Sequence, residues 1–239
     1  MPGKRKFEIV ESQTSTYGAS QGARRNPAKR PKRTTQLLMS RSLPFPVSKK
    51  TQMVYTYGYA QPASAAFDYF TIACNDMHDL DRTTLGKLGN KQPTFFDAIL
   101  SSTGPYKIFY VESWETTWTV VNMTSVPVRM YVAPALNVAT EVDSQTEAEN
   151  FPGVVIRDIT HNDGSQNKVS VKVRGSVKDI YPSSNKDRDF AGTYGSSPTT
   201  SVFGTLCLAS GDGTTALNCF VSIKHVFNVR LESQDAIVS

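Results

Sequence analysis

Six cations in ten residues, Arg24-Arg25-Asn26-Pro27-Ala28-Lys29-Arg30-Pro31-Lys32-Arg33, form the densest reactive stretch of the chain, and no acid interrupts them. Lys4, Arg5 and Lys6 precede this cluster, and Arg41, Lys49 and Lys50 follow it. Residues 1–50 hold these twelve cations against Glu8 and Glu11, a net +10, while the whole chain is +5. Residues 51–239 therefore carry −5, so a cationic arm precedes a mildly acidic body. Each Lys or Arg placed beside a phosphate releases a condensed counterion, which makes a polyphosphate the natural partner of the arm. A like-charged block with few large apolar residues cannot offset its ordering entropy, so residues 1–50 are expected to be disordered when unbound. Pro27 and Pro31 oppose a helix through the cluster. Such an arm lacks the fixed geometry that reading base edges requires, so its binding is expected to be independent of sequence. Lys4-Arg5-Lys6, a gap, and then Arg24, Arg25, Lys29, Arg30, Lys32 and Arg33 also read as a nuclear localisation signal, with host nuclear import receptors as partners.

Catalysis needs converging reactive groups, and none is evident. His78, His161 and His225 are far apart, without metal-protease spacing or a neighbouring cysteine. His225 falls on the apolar face of the last strand and reads as a hydrogen-bonded core residue. Asp76, Asp79 and Asp81 crowd one loop without the pattern of a calcium loop, so a solvated acidic loop is expected. No metal, cofactor or catalytic residue is assigned, and the chain is read as non-enzymatic. Cys74, Cys207 and Cys219 are too few and too widely spaced for a disulfide framework or a zinc site. They fit small core residues in a reducing compartment, where Asn122-Met123-Thr124 stays unglycosylated. Tyr55, Tyr57, Tyr59, Trp114 and Trp118 could stack on bases, but their period of two is equally that of core and subunit contacts, the favoured reading.

The elements that would carry these residues are strands. Stretches 53–60, 67–74, 106–123, 126–132, 153–159, 169–174, 201–210 and 218–232 are β-rich and bounded by turn residues. Residues 106–123 are long enough for one bent strand or two in succession. Cys219, Val221, Ile223, His225, Phe227, Val229 and Leu231 alternate with mostly polar residues, the pattern of a half-buried antiparallel strand. Asn162-Asp163-Gly164 and Gly211-Asp212-Gly213 mark turns. Phe95 to Leu100 suits a short helix, a helical turn is placed near residues 146–150, and residues 133–152 and 181–200 otherwise read as loops. Roughly eight strands with long connections describe an all-β fold, a single eight-stranded antiparallel jelly roll or β-sandwich over residues 51–239, preceded by the basic arm. No apolar run approaches the ~20 residues of a membrane helix, so no membrane insertion is expected, and no secretory leader is evident.

This plan resembles the capsid protein of circovirus-like small circular single-stranded DNA (CRESS-DNA) viruses. Gln92-Pro93-Thr94-Phe95-Phe96-Asp97 followed by Tyr106 to Val111 resembles that family's short helix leading into its fourth strand. Val169 to Ile180, Asp189-Phe190-Ala191-Gly192, Ser197-Pro198-Thr199 and the strand at 201–210 resemble its strand, long loop, strand order. Ile223 to Leu231 resembles its last strand. The arm departs from the family pattern in its lower arginine density, in Glu8 and Glu11, and in the uncharged stretch 12–23. The resemblance implies a homo-oligomeric T=1 icosahedral shell of about 60 copies. Arms would face inward on single-stranded genomic DNA and loops outward toward an unknown host cell receptor. The virion, and the host nucleus during assembly, are the implied locations. Capsids of small RNA and satellite viruses share the plan, and a non-viral nuclear nucleic-acid-binding β-domain is the rival of another class.

Overall fold

The computed structural model describes residues 46–61, 65–81, 92–137, 142–182 and 188–233. Within them run nine strands: β1 (Ser48–Gln61), β2 (Phe67–Ala73), β3 (Ile108–Asn122), β4 (Val128–Leu136), β5 (Val155–Ile159), β6 (Lys168–Ser176), β7 (Ala191–Thr193), β8 (Phe203–Ser210) and β9 (Cys219–Glu232). Helices α1 (Phe96–Leu100), α2 (Gln145–Glu149) and α3 (Val177–Ile180) are each a turn or so long. Setting aside three-residue β7, which pairs with β3, eight principal strands pair first with last and inward from there. β1 pairs with β9, β2 with β8, β3 with β6 and β4 with β5, all antiparallel. That is a long ribbon of strands rolled on itself. Pairings β3·β9 and β4·β8 close it into two sheets, β1-β9-β3-β6 and β2-β8-β4-β5, the topology of a jelly roll.

Alternation along the strands decides what lies between the sheets. The seven odd-numbered residues of β9 are all buried, and in β3 the buried positions switch from Phe109 and Val111 to Trp114, Trp118 and Val120. The switch is a bulge: the β3·β9 register shifts between Val111 and Ser113. The 106–123 region is thus one strand with an extra residue, which leaves Glu112 beside Ser113 outside the core. Phe70, Ile72, Met130, Leu206 and Leu208 come to meet these residues from the second sheet. Two aromatic rings depend on a glycine opposite them. A Cβ on Gly192 would lie 2.1 Å from the Phe109 ring, and one on Gly175 would lie 2.6 Å from the Trp114 ring.

The outer faces of the two sheets differ. That of β2-β8-β4-β5 is covered by residues 142–154, including α2, and Val142 and Ala148 close a small second core over Tyr131, Cys207 and Ala209. That of β1-β9-β3-β6 is open along its centre, with Thr56, Lys224, Lys172 and Arg174 exposed.

Several expectations are corrected. β4 continues to Leu136, so part of the 133–152 stretch is strand, while a helix does form at 145–149. The 181–200 stretch contains a 3-10 turn (Arg188–Phe190) and β7. The acidic loop is not uniformly solvated. Asp76 is fully buried and its Oδ1 accepts from the backbone N–H groups of His78 (2.9 Å) and Asp79 (3.1 Å), a local turn that stands in for water.

Candidate nucleic-acid interface

Lys4, Arg5, Lys6, Arg24, Arg25, Lys29, Arg30, Lys32, Arg33 and Arg41 lie outside the described residues. Lys49 and Lys50, assigned to the arm from the sequence, stand in β1 instead, opposite Leu231 and Arg230 of β9. Ladder hydrogen bonds hold that segment in place, because its partner strand continues to Glu232. Lys50 Nζ reaches Glu112 Oε2 at 2.7 Å, a pairing that the bulge in β3 makes possible. The chain thus enters the folded body at one end of the open sheet face.

That face holds cations the sequence reading did not single out. Even-numbered residues of β1, β6 and β9 share it with Ser113, Glu115, Thr117 and Thr119 of β3. Its cations are Lys50, Lys168, Lys172, Arg174, Lys224 and Arg230, and its carboxylates are Glu112, Glu115 and Glu232, a net +3 on a body that is otherwise acidic. Glu115 binds both Lys172 (2.7 Å) and Arg174 (2.8 Å), and these hydrogen bonds, Lys172 first, hold its carboxyl below the usual range. Arg230 binds Glu232 at 3.0 Å and stacks 4.4 Å above the Tyr110 ring. Among the described residues, Lys168 and Lys224 make no ion pair. A groove of about 670 Å³ lies in the same region, lined by Gln52, Ser113, Glu115, Arg174, Ser176 and Asn228 among others. Gln52 donates to Asn228 (2.8 Å), which donates to Ser113 (2.9 Å), so one polar chain crosses three strands.

The aromatic residues are not part of this surface. Trp114, Trp118 and Tyr55 are buried in the core, and Tyr57 and Tyr59 pack against it, so the core reading holds for them. His225 is the hydrogen-bonded core residue expected, between Thr116 and the Cys74 carbonyl. All three cysteines are buried and free, and burial pushes the thiols of Cys207 and Cys219 up to about 12 and about 11. Asn122 is fully buried. Its amide donates to the carbonyls of Val126 (2.8 Å) and Thr160 (2.9 Å) and its Oδ1 accepts from Thr124 N (2.8 Å), which removes the sequon from any modifying enzyme while the chain is folded.

The polar alternation of β6 was the one sequence signal for the face. Ser170, Lys172 and Arg174 oppose Val169, Val171 and Val173, and the even residues of β9 repeat the pattern. Nothing local in the sequence states that β6 and β9 both flank β3.

No protein-family model matches the chain, and no curated protein matches it. Solved structures with similar outlines include one titled turnip yellow mosaic virus, at 10% identity and TM-score 0.44, covering 80% of this chain and 85% of that one. A crystal structure titled decameric BFDV capsid protein is 11% identical, TM-score 0.43, covering 78% of this chain and 99% of that one. Cocksfoot mottle virus is 14% identical, TM-score 0.36, covering 75% and 95%. Likeness at that level adds no argument to the strand pairing, on which the fold assignment rests.

Proposed function

We propose that this chain is a viral capsid protein that assembles with copies of itself into a small icosahedral shell, of T=1 symmetry, and packages single-stranded DNA through its basic arm. The observation that carries this reading is the division of charge along the chain: +10 over residues 1–50, ahead of a jelly-roll body. Jelly rolls serve as capsid modules but also as lectins and cupins, so the fold does not choose the function. The arm does. Many arms gathered inside a closed shell repel one another unless a shared polyanion neutralises them, so assembly and packaging are coupled. About 60 copies would bring on the order of 600 cationic charges to the interior, each able to displace one counterion from a phosphate. Lys4, Arg5, Lys6, Arg24, Arg25, Lys29, Arg30, Lys32, Arg33 and Arg41 carry that contact, with Lys49 and Lys50 at the entrance to the body. The paired basic clusters before residue 34 also serve nuclear import, which puts assembly in the host nucleus and the product in the virion. The role of the body is structural, not enzymatic.

Electron microscopy of the purified protein, with nuclease treatment of the extracted contents, tests the proposal. Closed particles whose nucleic acid DNase destroys and RNase spares are expected. Particles with RNase-sensitive contents would move the assignment to an RNA virus. A small oligomer that forms no shell under any salt condition would overturn it.

A further inference from the structure

We propose that the open face of the β1-β9-β3-β6 sheet is a second contact surface for single-stranded nucleic acid, gripping its phosphates independently of the arm. The inference rests on the reading that the chain packages a single-stranded genome. The centre of the face is Thr117 of β3, opposite Lys172 of β6 on one side and Lys224 of β9 on the other. Two strand spacings put those two lysines about 10 Å apart, and Arg174 stands about 7 Å along the strand from Lys172. Lys168 extends the row at the far end of β6, and Lys50 and Arg230 mark the end where the chain enters.

Each carboxylate on the face is already engaged by a cation. Glu115 is shared by Lys172 and Arg174, Glu112 lies within 4 Å of Lys50 and Arg230, and Glu232 is held by Arg230. The excess positive charge therefore has no anion among the described residues. Between the cations stand hydroxyls: Thr56, Thr117, Thr119, Ser170 and Ser222, and Thr119 and Ser170 are hydrogen-bonded at 2.8 Å. Hydroxyls, amides and cations together are the groups that bind phosphate oxygens.

A second protein copy is the obvious competing occupant. Interface centres are depleted of Lys and Glu and enriched in aromatic residues. Here the centre is lysine and threonine, and the large apolar side chains Val54 and Phe220 are only partly exposed, at 38% and 42%. The position of the arm favours nucleic acid further. The 45 residues before Pro46 join the body at the Lys50 end of this same sheet, so a strand held by the arm is delivered within reach of the face.

The test compares binding of a thirty-nucleotide oligo(dT) across a salt series for four full-length proteins. These are wild type, a face variant (Lys168→Ala, Lys172→Ala, Lys224→Ala), an arm variant with Arg24, Arg25, Lys29, Arg30, Lys32 and Arg33 changed to Ala, and the two sets combined. Three lost phosphate contacts on a single strand lower the slope of log K against log salt by about 2. The face variant should show that decrease with an unchanged unfolding midpoint. The arm variant should retain salt-dependent binding that the combined variant loses. An unchanged slope in a face variant that folds normally would overturn the second surface while leaving the packaging role intact. Failure of wild type to bind oligo(dT) at low salt would overturn the packaging role itself. A face variant that loses shell formation or heparin binding but keeps the wild-type oligo(dT) slope would assign the face to another copy or to a sulfated polysaccharide, and would also overturn the inference.

Discussion

Acidification from pH 7.5 to 5.0 should cost the folded subunit about 2 kcal/mol through His225 by itself. The ring is fully buried, with Nδ1 2.7 Å from Thr116 Oγ1 and Nε2 3.2 Å from the Cys74 carbonyl oxygen. A carbonyl only accepts, so Nε2 carries the proton and Nδ1 accepts from the threonine hydroxyl. A second proton would take Nδ1 out of that bond and leave a charge beside Phe227, whose ring centroid is 4.3 Å away. Burial pushes the imidazole from 6.5 down to about 3, and the Cys74 carbonyl offsets a part of that. The unfolded chain takes up the proton below pH 6.5 while the folded chain refuses it until about pH 3. Stability is therefore complete above pH 6.5 and falls by about 1.4 kcal/mol per unit as pH drops through that window. Urea unfolding of unassembled wild type and of His225→Gln, at pH 7.5 and 5.0 and equal ionic strength, isolates the contribution, because losses from carboxylates are common to both. Wild type should lose about 2 kcal/mol more than the variant over this interval. Equal losses would refute the buried neutral imidazole.

Gly192→Ala should destabilise by about 1–3 kcal/mol, since its Cβ would fall 2.1 Å from the fully buried Phe109 ring; thermal unfolding reads the change. Trp118→Ala, which empties a fully buried site, should cost about 3–5 kcal/mol by the same measurement. Cys207 and Cys219, with thiols pushed up by burial, should resist a thiol reagent at neutral pH and react at the rate of unfolding. Glu115→Gln removes partners from two largely exposed cations and should change stability by less than about 1 kcal/mol, while strengthening oligo(dT) binding.

The parts of the fold that were legible in the sequence are those whose pattern is local. Seven apolar-face residues in β9 and the valines of β6 alternate without interruption, and both strands appear where the alternation puts them. The bulge at Glu112 was not legible, because it shows only as a slip in register against β9. Nor was the burial of Asp76, where backbone donors supplied by its own turn replace water. The open cationic face was half legible. Each strand declares a polar side, but Lys50, Lys172 and Lys224 share a surface only because the first strand pairs with the last and both lie beside the third. That adjacency is a property of the rolled-up topology. The arm is the reverse case: its charge is explicit in the sequence, and it lies outside the described residues.

The ratio of absorbance at 260 nm to that at 280 nm, measured on purified particles, tests the central claim most directly. Wild type should give particles with the ratio of a nucleic-acid-filled shell. Changing Arg24, Arg25, Lys29, Arg30, Lys32 and Arg33 to Ala should give empty shells or none at physiological salt. Filled particles with the wild-type ratio from that variant would contradict the role given to the arm.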